Sequence, residues 1–180
     1  MKSLLVAFAL FISVTSNAQV TRVNLQASGL TCSMCSNAIN TALKTLDYVD
    51  KVYANIKTSS FDLSFKPGAR VDFDEIKKKV EDAGFSIAKM QATVQFNNQA
   101  IQKDAHVSTN GMLLHFVNAS NKTLNGTQTL QIVDKGYVSA KAFKKNQLTT
   151  TMDCYKTGVA GSCCTKTGVS AGARVYHVTI

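Results

Sequence analysis

The sequence predicts an α+β chain built from two unlike halves. Through about residue 92, apolar positions repeat first at a spacing of two and then at three or four. They follow the order strand, helix, strand, strand, helix, strand. Beyond that point the helical spacing nearly vanishes, and short apolar runs are separated by Asn, Gly and Thr clusters. The charge divides at the same place. Residues 19–92 hold ten basic and eight acidic side chains, a net of +2, whereas residues 93–180 hold nine and three, a net of +6, with no Glu.

The first residues are expected to be removed. Lys2 precedes an apolar run from Leu4 to Val14, and Ser16-Asn17-Ala18 offers small residues where a signal peptidase reads. Cleavage after Ala18 leaves Gln19 first. The run is too short to span a bilayer, and no cysteine follows the cleavage point for lipid attachment. These features predict a signal peptide over 1–18. They also predict a periplasmic or secreted protein with no integral membrane segment after cleavage.

Val23, Leu25 and Ala27 alternate with polar neighbours, which predicts a half-buried strand ended by Gly29. From Cys35, the apolar positions Ile39, Ala42 and Leu46 recur on one face of a helix. Val52, Ala54 and Ile56, then Phe61, Leu63 and Phe65, predict a hairpin turning at Lys57 to Ser60. Lys66-Pro67-Gly68 closes it. Asp72 with Glu75 three residues later reads as a capping box, and Phe73, Ile76, Val80 and Ala83 mark the buried face of a second helix stopped by Gly84. Ile87 opens a fourth strand. Two right-handed crossovers in this order give a ferredoxin-like βαββαβ sandwich, a four-stranded antiparallel sheet with both helices on one face.

In the second half, Val94 with Phe96, Met112 to Val117, Leu130 to Val133 and Val175 to Ile180 predict short strands. Ser139 to Leu148 predicts one short helix capped by Ser139. The expectation is a first domain over 19–92 and a small β-rich, barrel-like domain over 93–180. The basic excess of the second half suits an acidic surface or simply solvent. No aromatic-basic interleaving points to nucleic acid.

Cys32 and Cys35 sit between the first strand and the first helix, in the run Gly29-Leu30-Thr31-Cys32-Ser33-Met34-Cys35. Two sulfurs at this spacing can close on one soft ion, and a helix N-terminus favours the thiolates that bind it. None of the three histidines falls within 19–92, so a two-sulfur site fits better than a four-ligand zinc site. Outside the cytosol the pair could instead be a permanent disulfide, or a thiol-disulfide redox couple. Against the redox reading, the chain has no Trp ahead of the motif, and its one proline is Pro67.

Cys154, Cys163 and Cys164 form a second cluster. The expected arrangement is a disulfide from Cys154 to Cys163 or Cys164, since a bond between the adjacent pair is strained. The other arrangement is a second soft-metal site of three sulfurs, with His177 as a further donor. His106 and His115 read as packed or solvated residues. No Ser/His/Asp set, paired carboxylates or phosphate-cradling Gly loop appears, so no catalytic residue and no enzyme activity are expected.

Order and motif together resemble the heavy-metal-associated domain family, which includes copper chaperones, N-terminal modules of copper-exporting ATPases and a periplasmic mercury-binding protein. The resemblance covers about residues 20–92. The family marker is Gly-Met-Thr-Cys-x-x-Cys after the first strand, and Leu30 here replaces its Met, an apolar swap of similar volume. Asp82-Ala83-Gly84-Phe85 is similar to the family's signature ahead of the last strand, with Phe85 in the place of an aromatic beside the metal loop. The resemblance implies that Cys32 and Cys35 hold one thiophilic ion, Cu(I) foremost, with Hg(II) or another such metal as the alternative. It also implies capture, buffering or delivery of that ion. The partner would be a metal donor or acceptor such as a metal-transporting ATPase or efflux component. No family pattern matches residues 93–180.

Overall fold

The computed structural model describes residues 18–30, 32–109, 111–165 and 169–180. Of the leader expected over 1–18, only Ala18 lies among them. β1 (Gln19–Ser28) buries Val20, Val23, Leu25 and Ala27. A register shift between Val20 and Arg22 carries the buried side from Val20 to Val23. α1 (Ser33–Lys44) buries Ser36, Ile39 and Leu43. Leu43, four residues after Ile39, fills the core where Ala42 was expected, and Ala42 is half-buried. β2 (Val49–Asn55) and β3 (Ser60–Phe65) form the expected hairpin. Ile56 is not a strand residue. It opens a 3-10 turn over Ile56–Thr58, where Asn55 Oδ1 accepts from the N–H groups of Lys57 and Thr58, and its side chain is exposed.

α2 (Phe73–Asp82) starts as expected, with Asp72 Oδ1 accepting from the Asp74 and Glu75 N–H groups at 2.9 and 3.2 Å. It buries Phe73, Ile76 and Val80. Gly84, at φ +87, supplies the left-handed residue that turns the chain out of it. β4 (Ser86–Ile101) then runs for sixteen residues. The first four strands lie in the order β2-β3-β1-β4, with α1 and α2 in contact, the sandwich expected of the first half.

The second half contributes β5 (Ala105–Thr109), β6 (Met112–Phe116), β7 (Lys122–Ile132) and β8 (Val175–Thr179). These do not close the barrel-like unit that was expected. They lengthen the same sheet, in the order β2-β3-β1-β4-β7-β8-β6-β5, with every neighbouring pair antiparallel except the parallel β6–β8. The reason lies in β4. Residue 92 falls in its middle, and beyond it Val94, Phe96 and Ile101 continue to be buried. One edge of β4 pairs with β1, and the other pairs with β7 from Met90–Ile132 to Ile101–Lys122.

Side chains alternate between the two faces of a sheet. Val23, Leu25, Met90, Ala92, Leu130, Ile132, Tyr176 and Val178 share the face of α1 and α2 in one continuous core. His115 and His177, paired in register across β6 and β8, therefore point to the opposite face. That face is covered by α3 (Ala140–Gln147), capped by Ser139 Oγ as expected, and by the short helices α4 (Cys154–Thr157) and α5 (Ser162–Thr165). Val133, Val138 and Tyr155 are buried there, as are Cys154, Ala160, Cys164 and Val175.

Candidate metal centre

The loop between β1 and α1 is anchored from below. Leu30 packs half-buried against the main core, as an apolar residue in the family's Met position should. Phe85 does the same from one position beyond the Ser28–Ser86 pair, which sets it at the base of the loop. Thr31 lies outside the described residues. Cys32 is the N-cap of α1, with φ −138° and ψ 155°, and the Cys35 N–H points at its sulfur at 3.2 Å. Its carbonyl accepts from the Ser36 N–H, and no acidic side chain occupies the first turn of α1. The positive end of the helix thus faces the sulfurs without a competing carboxylate.

The Cα atoms of Cys32 and Cys35 are 5.4 Å apart, and the two sulfurs are joined in a disulfide. Cys32 is exposed and Cys35 half-buried, so the pair lies at the surface. Met34, between them, is 82% exposed. The expected residues are therefore brought together. What they can do depends on redox state: two soft ligands when reduced, a closed bond when oxidised.

The second cysteine cluster does not form its expected disulfide. Cys154, Cys163 and Cys164 all remain thiols. Cys154 opens α4 with its sulfur turned between two imidazoles, 3.7 Å from His115 Nδ1 and 3.5 Å from His177 Nε2. The Cys163 and Cys164 sulfurs lie 3.5 Å apart on α5. Burial pushes the Cys154 thiol up, and the neighbouring thiols of Cys164 and Cys163 add to this. His106 and His115 are not isolated. Their rings stack at 4.5 Å, and the His177 ring meets His115 edge-on at 4.9 Å. Burial, with His177 and His106 nearby, lowers His115 to about 4. Asp104 holds the Nε2 of His115 at 3.1 Å, and Asp134 holds the Nδ1 of His177. The sequence suggests His177 beside the thiols, but its spacing gives no sign of a grouping that also takes in His106 and His115. The parallel register of β6 and β8, strands separated by about sixty residues, creates it.

A model of the heavy-metal-associated domain matches residues 24–86. The chain is 34% identical over 65 residues to the copper chaperone CopZ of Bacillus subtilis, a match covering 36% of this chain and 93% of that protein. It is 33% identical over 84 residues to a probable copper-exporting P-type ATPase of Archaeoglobus fulgidus, covering 47% of this chain and 10% of the ATPase. The chain thus spans 10% of that ATPase's length. Among solved structures, a copper binding domain from HMA7, a P-type ATPase, matches at 32% identity with a TM-score of 0.34. That match covers 37% of this chain and 92% of that one.

Proposed function

This chain belongs to the heavy-metal-associated domain family through residues 24–86, and on that premise we propose that it is an exported protein that captures, buffers or delivers Cu(I) through Cys32 and Cys35. One observation carries the reading. Both sulfurs stand at the exposed N-terminus of α1, with Cα atoms 5.4 Å apart and the Cys35 N–H aimed at Cys32. Two thiolates there select a soft ion over hard divalent ones. An ion held by two surface sulfurs can also be passed on, because an incoming thiolate reaches it before the first pair releases. Hg(II) or another thiophilic ion would use the same two ligands. Residues 19–92 would carry the metal, with 93–180 as a β-rich addition.

Export is supported by the leader features of residues 1–18, and a periplasmic or secreted location follows from them. Among the described residues, no helix is long and apolar enough to cross a membrane. The exchange partner would be a thiol-bearing metal donor or acceptor, such as a metal-transporting ATPase or efflux component. Loading requires that a thiol reductant first open the disulfide with two electrons, which leaves two thiolates; any protons they pick up are released again as the ion binds.

The disulfide itself favours a second reading, a redox protein that cycles Cys32 and Cys35. Anaerobic titration of the reduced mature protein against a chromophoric Cu(I) chelator separates the two. A carrier loses one tightly bound equivalent on Cys32→Ser and reduces insulin no faster than the reductant alone. Unchanged stoichiometry in Cys32→Ser, or insulin reduction well above background, overturns the carrier reading.

A further inference from the structure

We propose that Cys154, Cys163 and Cys164 form a second, buried site for a soft monovalent ion, Cu(I), separate from Cys32 and Cys35. The three sulfurs lie within 4.8 Å of one another. An ion bound by three sulfurs at about 2.3 Å sets them roughly 4 Å apart, so the cluster needs only small side-chain adjustments to close on one. Cys154 and Cys164 are 1% and 0% exposed, while Cys163 is half-buried and gives the site its opening. A set of three sulfurs without a carboxylate in the set is a soft-ion set, mismatched to Mg²⁺ or Ca²⁺.

The surroundings hold Cys154 in place. A carboxylate only accepts, so the nitrogen of His115 facing Asp104 and the nitrogen of His177 facing Asp134 each carry the proton of that hydrogen bond. The near nitrogens then face the Cys154 sulfur from two sides. Imidazoles anchored by carboxylates in this way orient the groups around metal ions. His106, stacked on His115, closes that wall. Tyr155 completes it, with its ring 5.0 Å from His177 and its hydroxyl donating to the Val133 carbonyl.

The cluster is physically distinct from the first pair. Tyr176 reaches Asp72 and Asp74 on the α1/α2 face, so its neighbour His177 and the thiols beyond it belong to the opposite face. Two ions would therefore bind without sharing a ligand.

The test uses the full mature chain carrying Cys32→Ser and Cys35→Ser, reduced and anaerobic, with Cu(I) as the probe. Expected is one retained equivalent, with copper absorption spectra showing three sulfurs at about 2.3 Å. Adding Cys163→Ser and Cys164→Ser should abolish it. If circular dichroism shows that this variant is unfolded, Cys163→Ser alone decides, and it should weaken binding by about tenfold or more. Three results overturn the proposal: no copper retained without Cys32 and Cys35; retention undiminished without the Cys163 thiol, which assigns the ion to Cys154 and the imidazoles; or a disulfide from Cys154 to Cys163 or Cys164 in protein isolated without reductant. Because the first pair is absent throughout, none of these results bears on the carrier reading.

Discussion

Replacing Asp74 with Ala tests how firmly the two halves are joined. Asp74, on α2, accepts from Arg174 Nε at 2.6 Å and Nη2 at 3.1 Å, from the Tyr137 hydroxyl at 2.7 Å, and from the Tyr176 hydroxyl at 3.2 Å. All three donors come from the second half. They are stranded unequally by the change. Tyr137 is fully buried, and a hydroxyl left there without an acceptor costs about 1–3 kcal/mol. Tyr176 keeps Asp72 Oδ1 at 3.0 Å and loses little. Arg174 keeps Asp134 and the Gly158 carbonyl, and solvent screens what it loses, so that pair adds about 0.5–1 kcal/mol. Asp74→Ala should therefore cost about 1.5–4 kcal/mol. Asp74→Asn keeps an acceptor for Tyr137 and should cost about half as much. Urea unfolding followed by circular dichroism suits a chain without Trp, and the midpoint should fall while the slope holds. A loss under about 0.5 kcal/mol for Asp74→Ala refutes the reasoning.

The pH dependence has a fixed sign. Burial pulls the Asp74 carboxyl upward, but hydrogen bonds from Arg174 and Tyr137, the Arg174 charge and the Tyr176 bond outweigh it. They hold Asp74 below the usual carboxylate range. A carboxylate depressed in the folded state stabilises fully above its unfolded value of about 3.9 and ceases to do so as pH falls through the folded value. The gap between wild type and Asp74→Ala should be flat from about pH 5 to 8 and close only in acid.

Phe96→Ala, in the far half of β4, removes a buried ring set against Phe116 at 6.3 Å and should cost about 3–5 kcal/mol. Both this variant and the wild type should unfold in one transition, because a single core cluster includes residues of both halves; two resolved steps contradict that. Gly84→Ala forces a side chain into φ +87 at the end of α2 and should cost about 1 kcal/mol by the same urea assay, with Cu(I) uptake at Cys32 and Cys35 unchanged.

The first half was legible because its elements follow local rules. The alternation at Val23, Leu25 and Ala27, the cap at Asp72 and the stop at Gly84 each act within a few residues. The Cys32 and Cys35 pair was legible for the same reason, being three residues apart at a helix start. Ile56 misled because its apolar spacing fits a strand, while Asn55 offers the backbone a turn instead. The continuation of β4 was present as Val94 and Phe96, yet no local pattern says that two alternating runs are one strand. β5 carries His106 and Ser108 and was too polar and short to register. The grouping of His115, His177 and Cys154 depends on strand register and on the packing of α4, neither of which a linear pattern encodes.

The position of β4 also bears on how copies of this chain meet in solution. A strand with an open flank is a template on which another chain can polymerise. Both flanks of β4 carry a strand, β1 along Ser86 to Gln95 and β7 from Met90 to Ile101, so most of its long row of amides and carbonyls offers no such template. Among the described residues the outermost strands are β2, carrying the charged Asp50 and Lys51, and β5, five residues long. Fibril-like stacking is thereby discouraged at the margins of the sheet.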